Sequence, residues 1–304
     1  GGKDERSQDL IQGITLAGVF FDEVALMPES FVNQATGRCS VDGSKYWFNC
    51  NPDGPYHWFK TGWIDKREEK HLLYLHFTMD DNLSLSEKIK ERYRSMYTGV
   101  FYRRYILGLW AMTEGIIYDM FDTAKHVLSS LNNLVNANYY VSCDYGTQNA
   151  TVFLLWCKEH SGRWVCCREY YYSGRDEERQ KTDSEYADDL EQWLAGIKPV
   201  KIIIDPSAAS FIAELKKRGY AIKKAKNDVL DGIRFVASLL NQGKIAISDQ
   251  CQNTIKEFGS YIWDQKASER GEDKPVKQHD HAMDALRYFC YTIIRKPGSI
   301  GILK

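Results

Sequence analysis

The stretch VKIIIDPSA, Val200–Ala208, decides the fold class. It is almost wholly apolar up to Asp205, as a strand buried on both faces must be, and it ends in a carboxylate. A central strand of this kind belongs to an α/β sheet with helices on its faces. Upstream, YYVSCDYG (139–146) reads as a strand that also ends in an acid, Asp144, and TVFLLWCKEHSGRWVCCREYYY (151–172) reads as a hairpin turning at His160 to Gly162. Three antiparallel strands therefore open this part of the chain. A helix from Ser184 to Leu194 leads into VKIIIDPSA. Helices follow at ASFIAELKKRG (209–219) and VLDGIRFVASLLNQG (229–243), then a strand KIAIS (244–248), a helix in QNTIKEFGSYI (252–262), a polar loop from Asp264 to Lys277, and a closing helix in QHDHAMDALRY (278–288). That order predicts an α/β fold with a mixed sheet.

The N-terminal part has its own pattern. GVFFDE (18–23) and KYWFN (45–49) read as strands on either side of a helix in MPESFVNQA (27–35), with turn-rich CNPDGPYHW (50–58) behind them. LSEKIKERYRSMY (85–97) is a charged helix with Leu85, Ile89 and Tyr93 recurring at fours. The pattern changes at Gly115, which sets a first domain at 1–114, a linker at 115–123 and a second domain at 124–304.

Bulk properties narrow the classes. With 304 residues, 43% of them hydrophobic, the chain can bury two ordinary cores. A net charge of −1 advertises no nucleic-acid binder, so any basic surface must be local. Apolar runs fall well short of the ~20 residues that cross a bilayer. GGKDERSQDL (1–10) lacks the layout of a signal peptide, so no membrane role follows. The eight cysteines contain no CxxC, and adjacent Cys166 and Cys167 would point to opposite faces of a strand. They read as reduced thiols of a cytosolic protein.

Asp144 and Asp205 stand where α/β sheets place ligand sites, at the C-terminal ends of strands. An aspartate there can equally start a turn or helix, as Asp205-Pro206-Ser207 would. Asp280, His281 and Asp284 lie three to four residues apart, so one helix face can present a carboxylate with an imidazole beside it. Three converging carboxylates cannot all ionise without a cation, and hard oxygen donors favour Mg²⁺ or Mn²⁺. Two such ions would support in-line attack of water on a phosphodiester. The plainer reading has Asp280 capping the helix while Met283, Leu286, Tyr288 and Phe289 pack a core. The run ELKKRGYAIKKAKN (214–227) places Lys223, Lys224 and Lys226 after the Asp205 strand, where they would hold DNA phosphates or simply face solvent. Asp22 and Glu23 have the form of a Walker B pair, with Asn49 and Asn51 as candidate γ-phosphate sensors. No GxxxxGK[ST] is present; GGK at 1–3 and GSK at 43–45 are followed by Asp4 and Tyr46.

Taken together these residues resemble the large subunit of tailed-phage terminase. VFFDEVALMPESF is similar to its Walker B strand and helix, NCNPDGPYHWF to the motif after the next strand, and DYG, IIIDPSA and DHAMDALRY to the three acidic motifs of its nuclease. The resemblance implies an RNase H-like nuclease domain preceded by the C-terminal part of a P-loop ATPase domain. It implies Asp144, Asp205 and Asp284 as ligands of two Mg²⁺ or Mn²⁺ ions, with His281 beside them, and Asp22 and Glu23 as ATPase carboxylates. The family's P-loop region would precede this sequence, so ATP is expected only in a longer protein, and the N-terminal piece is expected to expose an edge strand. The implied role is cutting concatemeric viral DNA during packaging in the host cytoplasm, with double-stranded DNA, a terminase small subunit and the portal or procapsid as partners. The competing readings are another RNase H-like phosphotransferase, such as a transposase or resolvase, and a non-enzymatic packaging scaffold.

Overall fold

The computed structural model describes residues 11–131, 138–146 and 149–295, so GGK at 1–3 lies outside the described residues. The chain divides into two compact units.

One unit comprises the described residues up to Arg94, with Gly99–Glu114 and Asp264–Lys274. Its strands β1 (Gly18–Phe21) and β2 (Lys45–Phe48) pair in parallel, with Phe21 opposite Phe48. Parallel neighbours need a crossover, and α1 (Glu29–Gly37) supplies it, starting directly after Pro28, whose missing N–H no helical bond needs there. Val32 and Ala35 of α1 join Phe21, Phe59 and Ile64 in the core, where the Phe21 and Phe48 rings stack at 5.1 Å. Two further helices, α2 (Glu87–Arg94) and α3 (Gly99–Tyr105), follow.

The second unit holds Ser95–Thr98, Gly115–Trp263 and the described residues from Pro275 onward. Its elements begin with α4 (Thr123–His126), β3 (Val127–Leu128), β4 (Tyr140–Asp144), β5 (Ala150–Lys158) and β6 (Trp164–Ser173). Then come α5 (Asp183–Leu194), β7 (Lys201–Ile204), α6 (Ala209–Lys217), β8 (Ile222–Lys224), α7 (Val229–Asn241), β9 (Ile245–Ser248) and α8 (Gln252–Ser260). The strands form one sheet in the order β3-β9-β6-β5-β4-β7-β8, antiparallel between β4, β5 and β6 and parallel elsewhere, which is the mixed sheet expected. Its middle strand is β5, buried over its first eight residues, rather than β7. The isoleucines of β7 are buried all the same, because Tyr186, Leu190, Phe211 and Leu215 of α5 and α6 cover one face with Ile202 and Ile204. Beyond β7 lies β8, three residues long, which reads in the sequence as a charge run; lysines on a short edge strand discourage further pairing.

The stretch 264–274, a polar loop of the second domain on sequence grounds, contains the short α9 (Gln265–Glu269) and belongs to the first unit. There Asp273 pairs with Arg104, which is 2% exposed, lies 2.9 Å from Asp53 Oδ1 and donates to the Ala111 carbonyl at 2.9 Å. A five-residue helix carries too little periodicity to be legible, and the Asp273–Arg104 pair beyond it spans 169 residues. The last helix of the second unit is α10 (His281–Phe289), continued by a wider π-type turn over Cys290–Ile294. It packs on β4, β5 and β7, with Phe289 stacked on Trp156 at 4.3 Å.

The reading of all eight cysteines as reduced is corrected: Cys157 and Cys167 form a disulfide between β5 and β6. The register slips by one residue at Leu155/Trp156, so Cys167 shares a buried cluster with Cys157, while Cys166 turns the other way, 3.8 Å from the sulfur of Cys251. A bulge of this kind re-aims a side chain and leaves no mark in cysteine spacing.

Candidate metal centre

The register of two strands builds the core of the site. Cys143 of β4 faces Ile204 of β7 in a parallel pair, and the next residue on each strand is an aspartate. Asp144 and Asp205 therefore emerge together at the C-terminal edge, from strands about 4.8 Å apart. Their surroundings differ. Asp144 is pushed up to about 6 by burial, opposed by its hydrogen bond with His281 and reinforced by the negative charges of Asp284 and Asp280. Burial also raises Asp205, but the Ser207 N–H at 2.8 Å, Asn227 at 3.2 Å and the Tyr288 hydroxyl outweigh it and hold the carboxyl below its usual range.

The third acid comes from α10. His281 opens the helix and places Nδ1 3.0 Å from Asp144 Oδ2; burial lowers its affinity for a proton, and the carboxylate more than restores it. One turn on, Asp284 is gripped at both oxygens: Arg287 donates to Oδ1 at 2.7 Å and Lys277 to Oδ2 at 3.1 Å. Lys277 also lies 3.0 Å from Oδ2 of Asp280, an atom that is buried and has no well-oriented hydrogen bond. That contact is Coulombic, short in distance but poorly aligned.

Asp280 does not cap α10 with its side chain. Glu257 of α8 does so, accepting the N–H groups of Ala282 at 2.7 Å and Met283 at 3.2 Å, with the Tyr171 hydroxyl donating to its other oxygen at 3.1 Å. Burial pushes Glu257 up to about 7 against these bonds. Glu257, Lys277 and Arg287 are absent from the sequence-derived site. Arg287 had a local signal, the three-residue spacing from Asp284 on a helix. Glu257 had none, since its partners lie 25 and 26 residues on.

Among the described residues no group of three or more His, Cys, Asp or Glu side chains is already drawn together as a metal cage. The donor chemistry nonetheless fits a hard divalent ion. The acids offer carboxylate oxygens without sulfur, the negative charges of Asp284 and Asp280 disfavour ionisation of Asp144, and a buried oxygen of Asp280 is left without a well-oriented donor.

Lys223 and Lys224 lie on β8 opposite Ile203 and Ile204, and both are exposed. Lys226, also exposed, directly precedes Asn227, which bonds Asp205. Residues 224 and 226 thus lie at the sheet edge from which Asp144 and Asp205 emerge. Lys216 and Lys217 end α6, while Arg218 is taken up by Asp188, Glu191 and Glu214.

In the first unit, Asp22 is exposed at the end of β1, and Glu23 adopts a left-handed backbone with φ 57°. The Glu23 N–H donates to Asn49 Oδ1 at 2.7 Å, which joins the acidic pair to the motif after β2; Asn51 is exposed.

A family model described as the N-terminal part of the T4likevirus-type terminase large subunit matches residues 1–125, and one described as the terminase RNaseH-like domain matches residues 166–291. The large terminase subunit of Escherichia phage T5 is 26% identical over 292 residues, covering 91% of this chain and 65% of the phage protein. The chain thus spans about two thirds of that relative's length, 65%. A solved large terminase from a thermophilic bacteriophage is 63% identical, with a TM-score of 0.91 over 97% of this chain and 73% of that one. A structure of the same thermophilic phage protein in complex with ADP matches with a TM-score of 0.90 at 62% identity, covering 97% of this chain and 73% of that one.

Proposed function

The chain belongs to the terminase large-subunit family, and from that premise we propose that its second unit is a metal-dependent endonuclease that cuts concatemeric viral DNA during genome packaging. The observation that carries this reading is the pairing of Cys143 with Ile204, which brings Asp144 and Asp205 out side by side, beneath the helix that bears Asp284. Asp144, Asp205 and Asp284 would hold two Mg²⁺ or Mn²⁺ ions. Bound there, the ions would supply an activated water and charge stabilisation at the phosphodiester. His281 orients Asp144 through its ring nitrogen. Lys223, Lys224 and Lys226 would hold the duplex through its phosphates, so little sequence preference is expected.

For the first unit we propose a share in an ATP site, with Asp22 and Glu23 as its carboxylates; the thermophilic phage relative has been solved with ADP. Double-stranded DNA, a terminase small subunit and the portal or procapsid are the proposed partners, in the host cytoplasm. Among the described residues no helix is long and apolar enough to cross a membrane.

The test is plasmid cleavage by this chain with Mn²⁺, Mg²⁺ or EDTA, without ATP, beside Asp205→Asn and Asp144→Asn. Cutting that needs both the metal and the aspartates is expected. Metal-dependent cutting that survives both substitutions sinks the site assignment, and an absence of cutting by a folded sample favours the scaffold reading.

A further inference from the structure

Both oxygens of Asp284 are already taken by cations, and the two cations differ in their freedom to leave. Arg287, on Oδ1, is 2% exposed, and its other nitrogen donates to the Asn227 carbonyl at 2.9 Å. The Cγ and Cδ methylenes that carry this guanidinium are packed against Gly232 of α7, where even a Cβ would approach Cγ to 2.6 Å. It has nowhere to go. Lys277, on Oδ2, comes from the loop before α10 and has a side chain 61% exposed, with water available to the ammonium on release. The carboxylates it bridges are 6% and 11% exposed. A hard cation approaching Asp284 from solvent therefore meets the ammonium of Lys277 on the one oxygen that can be freed.

We propose that Lys277 is an internal competitor for the metal site: a divalent ion reaches Asp284 by displacing the Lys277 ammonium from Oδ2, while Arg287 keeps hold of Oδ1. This rests on the reading of Asp284 as a metal ligand and adds the residue that sets how tightly the ion is held. Lys277 and the ion cannot share Oδ2, because two cations at one oxygen repel and the lysine has no second acceptor role to offer the metal. The arrangement keeps the carboxylates of Asp280 and Asp284 partly neutralised before the ion arrives and raises the metal concentration needed for occupancy.

The test is calorimetric titration of Mn²⁺ into the 304-residue chain and into Lys277→Gln, Lys277→Arg and Asp284→Asn, without DNA. Exchange predicts that Lys277→Gln binds Mn²⁺ about fivefold more tightly, the change expected when one solvent-accessible ion pair no longer has to be broken. Lys277→Arg, which keeps the competing charge, should return the affinity to the starting value or below, and Asp284→Asn should weaken binding. Binding by Lys277→Gln equal to or weaker than that of the unmodified chain, or binding by Lys277→Arg as tight as that of a more tightly binding Lys277→Gln, overturns the exchange while leaving the metal site standing. An absence of Mn²⁺ binding by both the unmodified chain and Lys277→Gln overturns the exchange and the metal reading together.

Discussion

His281 Nδ1 lies 3.0 Å from Oδ2 of Asp144, so the first residue of α10 is tied to the last residue of β4. The imidazole orients the carboxylate without being one of the acids. His281→Ala should therefore lower cleavage by about 10- to 100-fold, the cost of losing a group that orients a metal ligand. Asp144→Asn should reduce it to background. Initial rates of plasmid nicking at saturating Mn²⁺ check both, and a His281→Ala variant as inactive as Asp144→Asn would place the imidazole in direct contact with the chemistry.

Glu257 ties stability to pH. Its carboxyl, raised to about 7 from an ordinary 4.5, is protonated in the folded chain where the unfolded chain has already ionised. The folded state then binds the extra proton between those values, so this contribution is complete below about 4.5 and is lost as pH rises through 7. The chain should unfold at lower urea at pH 8 than at pH 5, and Glu257→Gln should flatten that difference. Glu257→Ala, which strands two buried N–H groups of α10, should cost about 1–3 kcal/mol at either pH.

Gly232 of α7 is a packing glycine. Ala is the better helix former by up to about 1 kcal/mol, yet its Cβ would meet Arg287 Cγ at 2.6 Å and Cδ at 2.7 Å. Gly232→Ala is expected to destabilise by about 1–3 kcal/mol through this overpacking. It should also weaken Mn²⁺ binding, because Arg287 can yield only by loosening its hold on Asp284. Thermal unfolding and calorimetry read the two effects separately.

The lysines of the β8 edge should act on affinity rather than chemistry. Replacing Lys223, Lys224 and Lys226 together by Ala should lower the slope of log affinity against log salt by about 1 for each phosphate no longer neutralised. Fluorescence anisotropy with a duplex at several salt concentrations measures this. An unchanged slope would make the lysines a solvated edge and nothing more.

Much of the second unit could be read from local pattern. The isoleucine run of β7 and the hairpin of β5 and β6 depend on residues next to one another in the chain, and so does the periodicity of α5, α7 and α10. Asp144, Asp205 and Asp284 were visible because each ends or opens such an element. The middle of the sheet was not: β5 and β7 are both apolar, and strand order is a matter of pairing that burial alone does not encode.

The sequence by itself determined the longer strands and helices, the mixed α/β class and the acids at the strand ends, since apolar runs, turn residues and helical spacing act over a few residues. Tertiary structure decided what surrounds those acids. The Cys143–Ile204 register sets Asp144 beside Asp205, Glu257 caps α10 from 25 residues away, and Lys277 and Arg287 divide the oxygens of Asp284 between them. The bulge that joins Cys157 to Cys167 and the return of 264–274 to Arg104 belong to the same class. Each depends on chain segments meeting in space, where burial removes competing water and lets a single charge or hydrogen bond fix what no local pattern specifies.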